Sequence, residues 1–205
     1  MGLYDKYILP PCLDKACSLS SITRQRQKVV PNARGLVLEI GIGSGLNLPH
    51  YDPAKVTEII GVDPDAKLWA RSQARRAACS IPAERTGLNG EAIDRDSESV
   101  DTVVVTYALC TIADPVKALC EMQRVLRPSG QILFTEHGLA PDANVAKWQS
   151  RIDPLWKKLA GGCHTGRDIP ALFTRAGLEL DTLEQMYIPG PKVLAYNYWG
   201  ATRPK

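Results

Sequence analysis

Apolar residues fall along this chain in two alternating rhythms. Short aliphatic and β-branched runs, 35–40, 57–62, 83–88, 100–106 and 131–137, predict five strands. The run Val100–Thr106 is nearly continuous, as a strand covered on both faces requires. Between these runs the spacing becomes helical. Residues 66–78 predict one helix. Asp114-Pro115 predicts the start of another, with aspartate as its cap and proline at its first position. That helix places Val116, Leu119, Met122 and Leu126 on one face and stops at Pro128-Ser-Gly130. A further helix over 143–160 puts Trp148 and Trp156 on one face, where core packing is expected. Thr165 is expected to cap a helix running to Ala176 and closed by Gly177. Two last strands, 179–186 and 193–202, flank Pro189-Gly-Pro191 and are suited to antiparallel pairing as a hairpin. Ahead of all this, residues 3–30 predict helical pieces broken at Pro10-Pro11.

Strands alternating with helices imply an α/β chain, a mostly parallel seven-stranded sheet with helices on both faces. A length of 205 residues suits one domain. The expected division is an N-terminal helical segment, 1–34, and a main domain, 35–205. The hydrophobic share of 44% and charged share of 23% are those of a globular protein. A net charge of +3 gives a nucleic-acid partner no support, and Arg71, Arg75 and Arg76 form a solvated helix face. The six cysteines include no CxxC pair, no zinc-like spacing and no clear three-thiolate set, so no metal is predicted. Several sit among apolar residues, where a reduced cysteine packs as a small hydrophobe, which points to the reducing cytoplasm. No apolar run reaches membrane-spanning length, and the first residues lack the pattern of a cleaved leader.

The chemistry gathers after the first strand, in Leu38-Glu39-Ile40-Gly41-Ile42-Gly43-Ser44-Gly45-Leu46-Asn47. Glycines at 41, 43 and 45 allow a sharp turn and a close ligand approach at the carboxyl edge of the sheet, where open α/β sheets bind ligands. A dinucleotide fingerprint would need its last glycine at position 46, which is Leu46. Glu39, two residues before the first glycine, would face an amine and repel a pyrophosphate. Asp63, at the end of the second strand and before Pro64, can accept from both hydroxyls of a ribose.

With these residues in place, the stretches VLEIGIGSG, GVDPD, LNGEAIDRDSESVDTVVVTYAL and MQRVLRPSGQILFTEH, in that order, resemble the class I S-adenosylmethionine-dependent methyltransferases, in the branch that contains the quinone C-methyltransferases. The resemblance spans about residues 35–137 and implies a Rossmann-like sheet whose last strand runs antiparallel. It implies S-adenosylmethionine as cofactor, bordered by Gly41, Gly43 and Gly45, with Glu39 near the methionine amine and Asp63 on the ribose. Asn89 and Gly90 would meet the adenine edge, although the family often has aspartate where Asn89 stands. The Thr106 carbonyl would receive the methionine amine, and Tyr107 to Leu109 would line the cofactor and face the substrate. Asn47, Pro64 and Glu91 complete the cofactor-binding candidates. VVVTYALCTI, TEHG and WKKLAGGCHTGRD are also similar to the methyltransferase-like alkyl thiol S-methyltransferases of animals. Those carry an N-terminal membrane anchor. No comparable segment is visible here, so membrane residence is not carried over.

A thiol acceptor needs little base, because a few per cent is thiolate at neutral pH. The catalytic candidates are few. His137 follows the fifth strand and is placed for substrate contact or proton transfer, with Glu136 able to orient it. His164 precedes the last helix, and Cys163 beside it is expected to be neither a metal nor an arsenic ligand. Tyr4 and Tyr7 belong to a segment that often forms a lid in the family, and 138–165 is an insertion of the kind that shapes acceptor pockets. The expected function is methylation of a small molecule by a monomer or homodimer, with thiols first, then amine lipids, then quinone-like carbon acids. Arsenite methylation and a non-catalytic cofactor-binding regulator are the alternatives. The missing Asn/Asp-Pro-Pro-aromatic motif argues against a flipped base as substrate.

Overall fold

The computed structural model describes residues 3–203. Seven strands form one sheet: β1 Gly35–Ile40, β2 Val56–Val62, β3 Ala83–Thr86, β4 Val100–Thr106, β5 Leu126–His137, β6 Leu180–Tyr187 and β7 Tyr196–Thr202. Their order is β3-β2-β1-β4-β5-β7-β6. The first five run parallel, and β7 is antiparallel to both β5 and β6. The helices are α1 Leu9–Cys17, α2 Ser20–Val29, α3 Ala66–Ala70, α4 Gln73–Ala78, α5 Pro115–Val125, α6 Ala143–Leu159, α7 Ile169–Arg175 and α8 Lys192–Ala195. Among the described residues, no helix is long and apolar enough to cross a membrane.

The two-residue period of the strands divides the core. Leu38, Ile40, Ile60, Val103, Ile132 and Phe134 face one side with Leu119 and Met122 of α5 and Phe173 of α7. Val37, Ile59, Val104 and Leu133 face the other with Val29 of α2 and Ile81. Order reverses between β1 and β4, and beyond the carboxyl ends of strands at such a switch point open α/β sheets bind their ligands.

Several local expectations change. The helix expected over 66–78 is two, because Ser72 is fully buried and its hydroxyl donates to the Trp69 carbonyl at 2.6 Å. Leu126 opens β5 instead of closing α5, and Pro128-Ser-Gly130 lies inside that extended stretch. Thr165 does not cap α7. Its N–H and hydroxyl both donate to Asp153 Oδ1 (2.7 and 3.1 Å), and Asp168 Oδ1 takes the Ala171 N–H instead (3.1 Å). Trp148 is surface, 56% exposed beneath the Arg151 guanidinium, and Trp156 is half-buried. The inward residue of α6 is Gln149, whose amide ties Ala140, Gly138 and Thr165 together (3.0, 3.0 and 2.9 Å). Residues 192–195 are a helical turn, so β7 starts at Tyr196. Pro10 and Pro11 stand at the second and third positions of α1, directly after a π-helical turn over Tyr4–Ile8, so the segment is helical pieces that change at the prolines, as expected.

Candidate active site

The turn after β1 needs glycine for two different reasons. Gly41 has φ +74°, and a Cβ there would lie 2.6 Å from the Ala108 Cβ, so the β1 and β4 turns can touch only without one. Gly43 has φ +47°, yet a Cβ would meet nothing closer than 3.8 Å. A Cβ would make only ordinary van der Waals contact there, so the positive φ and not crowding is what favours glycine. Its N–H donates to Asp63 Oδ2 (2.9 Å), while the Asp65 N–H donates to Asp63 Oδ1 (2.7 Å). Two amides therefore aim the Asp63 carboxylate from the end of β2. Burial pushes its pKa up against those two bonds.

Below the turn lies a buried polar network. Glu39 shares the Val37 face of β1 and is 1% exposed. It accepts from Asn47 Nδ2 (3.0 Å) and the Tyr51 hydroxyl (2.7 Å). Burial raises its pKa to about 7, against the pull of Tyr51, Arg26 and Asn47. Arg26 enters from α2 and donates to Asn47 Oδ1 (3.0 Å) and to the Thr106 hydroxyl. Asn47 Nδ2 also donates to Thr106 Oγ1 (3.0 Å). The guanidinium lies 5.1 Å from the centre of the Tyr107 ring, and its buried Nε has no partner. Cation, carboxylate and amide are thus held at the ends of β1 and β4, a set complementary to a zwitterion.

The N-terminal helices are fastened to this turn. Asp14 of α1 accepts from the Ser44 hydroxyl (2.6 Å) and pairs with Arg75 (3.3 Å) and Arg71 (3.4 Å), and Arg75 also donates to the Ser44 carbonyl. Farther along, the Tyr4 hydroxyl donates to the Leu159 carbonyl at 2.7 Å, joining the start of the chain to the end of α6, while Tyr7 is 62% exposed.

The other predicted residues scatter in role. Gly90 is buried, with Ile40 Cγ2 at 3.0 Å from where a Cβ would stand, which brings the 89–91 loop to the end of β1. Asn89 and Pro64 are exposed, and Glu91 accepts from the Asp114 N–H (2.9 Å). Leu109 is fully buried in the core. Glu136 is also fully buried, but it holds the post-β4 turn and not His137: Oε1 accepts from the Ala108 and Leu109 N–H groups (2.7 and 2.9 Å). Adjacent strand positions face opposite sides, which explains why the imidazole next to it points elsewhere. His137 stacks near Tyr107 (centroids 6.5 Å apart, planes at 17°), and its Nε2 meets Cys163 Sγ at 3.2 Å. Cys110 completes that cluster, with the three ligand atoms within 4.8 Å of one another. His164 pairs instead with Asp153 (Nδ1–Oδ2 3.1 Å), and its backbone N–H donates to the Cys110 carbonyl (2.9 Å). Burial and Arg167 push the His164 pKa down.

Sequence reasoning missed Arg26, Tyr51 and Cys110. For Arg26 a signal existed: it shares a helical face with Val29 and Val30, so a charge was being sent inward with apolar neighbours. Tyr51 and Cys110 carry no local signal of their own.

Comparison with known proteins agrees with this geometry. The methyltransferase-domain family profile matches residues 38–134. The thiol S-methyltransferase TMT1B of Rattus norvegicus is 32% identical over 168 residues, 77% of this chain and 68% of that protein. A phosphatidylethanolamine N-methyltransferase of Cereibacter sphaeroides is 30% identical over 122 residues, 58% of this chain and 59% of that one. A SAM-dependent methyltransferase from Aquifex aeolicus shares the fold, with TM-score 0.64 at 13% identity, covering 95% of this chain and 98% of that one. The strand order, the glycine turn and the sequence kinship together make this chain a member of the class I S-adenosylmethionine-dependent methyltransferases.

Proposed function

We propose that the chain binds S-adenosylmethionine along the carboxyl ends of β1, β2 and β4 and methylates the sulfur of a small, fairly apolar thiol. The residues fit the cofactor part by part. Arg26 supplies a guanidinium for its carboxylate, and Glu39 with the Thr106 carbonyl supplies acceptors for its ammonium. Asp63, aimed by two amides, suits the paired hydroxyls of a ribose. Gly43 leaves the room that a bulkier residue would fill, and the loop at 89–91 suits the adenine edge. Segment 1–34 acts as the lid, pinned through Asp14 and carrying Arg26 into the site. When bound, the cofactor supplies an electrophilic methyl carbon and a neutral leaving group. The protein's part is to align the acceptor and exclude water.

One observation carries the choice of acceptor. Glu136 gives Oε1 to two backbone amides and keeps Oε2 buried, and the side chains that gather beyond the same turn are two thiols and an imidazole. That set suits a soft nucleophile that needs no strong base. The name of the TMT1B relative points the same way. A second reading, an acceptor that must lose a proton, rests on the His164–Asp153 pair at 3.1 Å.

The test is a panel of aliphatic and aromatic thiols, ethanolamine lipids and quinols, each with S-adenosylmethionine, with methylated product and S-adenosylhomocysteine measured together. Equal yields of the two with thiols are expected, and His164→Ala should keep most of that rate. Turnover confined to amines or quinols and lost in His164→Ala would replace the thiol reading with the second one.

A further inference from the structure

The fold assembles a ligand set that no local sequence motif announces. Cys110 follows β4, His137 ends β5, and Cys163 lies in the turn beyond α6. Their Sγ, Nε2 and Sγ atoms converge within 4.8 Å, with His137 Nε2 and Cys163 Sγ 3.2 Å apart. A tetrahedral ion about 2.3 Å from sulfur and about 2.0 Å from nitrogen needs ligand atoms roughly 3.5–3.8 Å apart. The His137–Cys163 distance is a few tenths of an ångström short of that spacing, and the third ligand atom lies within reach of both.

The turns that carry the two cysteines are braced. Glu136 fixes the turn that carries Cys110 through the Ala108 and Leu109 amides. Arg167 donates to the Leu109 carbonyl, and the His164 N–H donates to the Cys110 carbonyl at 2.9 Å. Cys163 is braced by its own N–H on the Ala160 carbonyl (3.2 Å). Two sulfurs and one imidazole are a soft set, wrong for magnesium or calcium and right for zinc. Three protein ligands also leave a tetrahedral ion one open position, the pattern of catalytic rather than structural zinc sites. The Tyr107 ring neighbours both this cluster and Arg26, so the cluster adjoins the turn after β4.

We propose that Cys110, His137 and Cys163 bind a zinc-class divalent ion whose fourth position takes the sulfur of the acceptor thiol. The proposal rests on the thiol reading above and extends it. Two thiolates balance the charge of the ion, and their protons leave when it binds. The incoming thiol likewise loses its proton to solvent on coordination. Its sulfur then forms the new bond to the methyl carbon while the carbon–sulfonium bond breaks, and that electron pair stays on the departing S-adenosylhomocysteine. The neutral thioether is a weak ligand and dissociates. No oxidant or reductant is needed. Free thiol is only a few per cent thiolate at neutral pH, so full ionisation at the ion is worth on the order of tenfold in rate after the loss of nucleophilicity that coordination brings.

The experiment uses the full chain, kept reduced, stripped with a chelator and titrated with Co2+ as a spectroscopic substitute. One equivalent should produce the visible bands of tetrahedral cobalt with sulfur-to-cobalt charge transfer, and Zn2+ should abolish them. Cys110→Ser and Cys163→Ser should each reduce the charge transfer while S-adenosylhomocysteine affinity is retained, which shows that the variants fold. Cys12→Ser and Cys120→Ser, at exposed positions, should leave it intact. Adding an acceptor thiol to the cobalt form should strengthen the charge transfer. Absence of stoichiometric bands, bands that survive both site variants, or a spectrum indifferent to thiol would overturn the proposal. Full thiol methylation by the metal-free protein would sink the metal and spare the acceptor reading. Thiol ligation at cobalt without any thiol methylation by the zinc form would do the reverse.

Discussion

Replacing Arg26 with glutamine tests the cofactor site at its least expected member. The guanidinium is 5% exposed and carries a spare donor, since Nε has no partner while the other end bonds Asn47 and Thr106. If it receives the cofactor's carboxylate, Arg26→Gln removes a charge-assisted hydrogen bond worth about 1.5–3 kcal/mol. That is a loss of roughly 10- to 150-fold in affinity. The loss should be confined to one end of the ligand. S-adenosylhomocysteine carries the amino-acid group. 5′-Methylthioadenosine keeps the adenine, ribose and thioether but lacks it. Calorimetric titration of both proteins with both ligands should show S-adenosylhomocysteine weakened by that factor and methylthioadenosine unchanged. The pairing also guards against a trivial outcome, because Arg26 helps to hold Asn47 and the Glu39 network in place. Equal weakening of the two ligands would mean that the substitution merely loosens the site. Unchanged affinity for S-adenosylhomocysteine would remove Arg26 from the cofactor altogether.

Three further outcomes follow from the same geometry. Asp63→Ala should weaken S-adenosylhomocysteine by well over tenfold in calorimetry, and near-unchanged affinity would remove the ribose assignment. Glu39 titrates at about 7 in the folded chain against 4.5 unfolded, so its contribution to stability is complete below about 4.5 and disappears as pH rises through about 7. Denaturant titrations of wild type and Glu39→Gln should therefore diverge by roughly 3 kcal/mol across that window, the variant gaining on wild type at higher pH, and parallel curves would refute the burial argument. Phe134→Ala should cost about 3–5 kcal/mol in the same assay, because Phe134 is fully buried with the Phe173 ring centred 4.5 Å away, and a loss near 1 kcal/mol would mean that the core closes over the gap.

What the sequence disclosed and what it hid follow from range. β4 was legible because six of its seven positions are buried, five of them in a row, and Asp114-Pro115 was legible because a cap acts within one turn. Thr165 and Asp168 are both good caps three residues apart, and only Asp153 on another helix decides between them by occupying Thr165. Trp148 has the spacing of a core residue, but α6 docks through the amide of Gln149, so the apolar face is not the inward one. The residues proposed for the cofactor, Glu39, Gly41, Gly43 and Asp63, sit at or just beyond strand ends and were visible in order. The cluster of Cys110, His137 and Cys163 was not, because they come from three separate elements whose spacing obeys no local rule.

Tyr107 shows how these two halves are joined. It is the first residue after β4 and holds φ 53°, a left-handed backbone that costs a side-chain-bearing residue about 1–2 kcal/mol. The strand explains why the chain tolerates it. The Tyr107 N–H still donates to the Thr135 carbonyl on β5 (2.9 Å), while the hydroxyl reaches Asn197 Oδ1 on β7 (2.6 Å). Those two anchors on different strands fix the ring between the Arg26 guanidinium at 5.1 Å and the His137 imidazole at 6.5 Å. The next two amides, of Ala108 and Leu109, turn back to Glu136, and Cys110 follows immediately. A relaxed backbone at position 107 would aim the ring away from both groups. The strain is thus held by bonds to two neighbouring strands, and it sets the ring beside both the buried guanidinium and the His137 imidazole at the end of one strand.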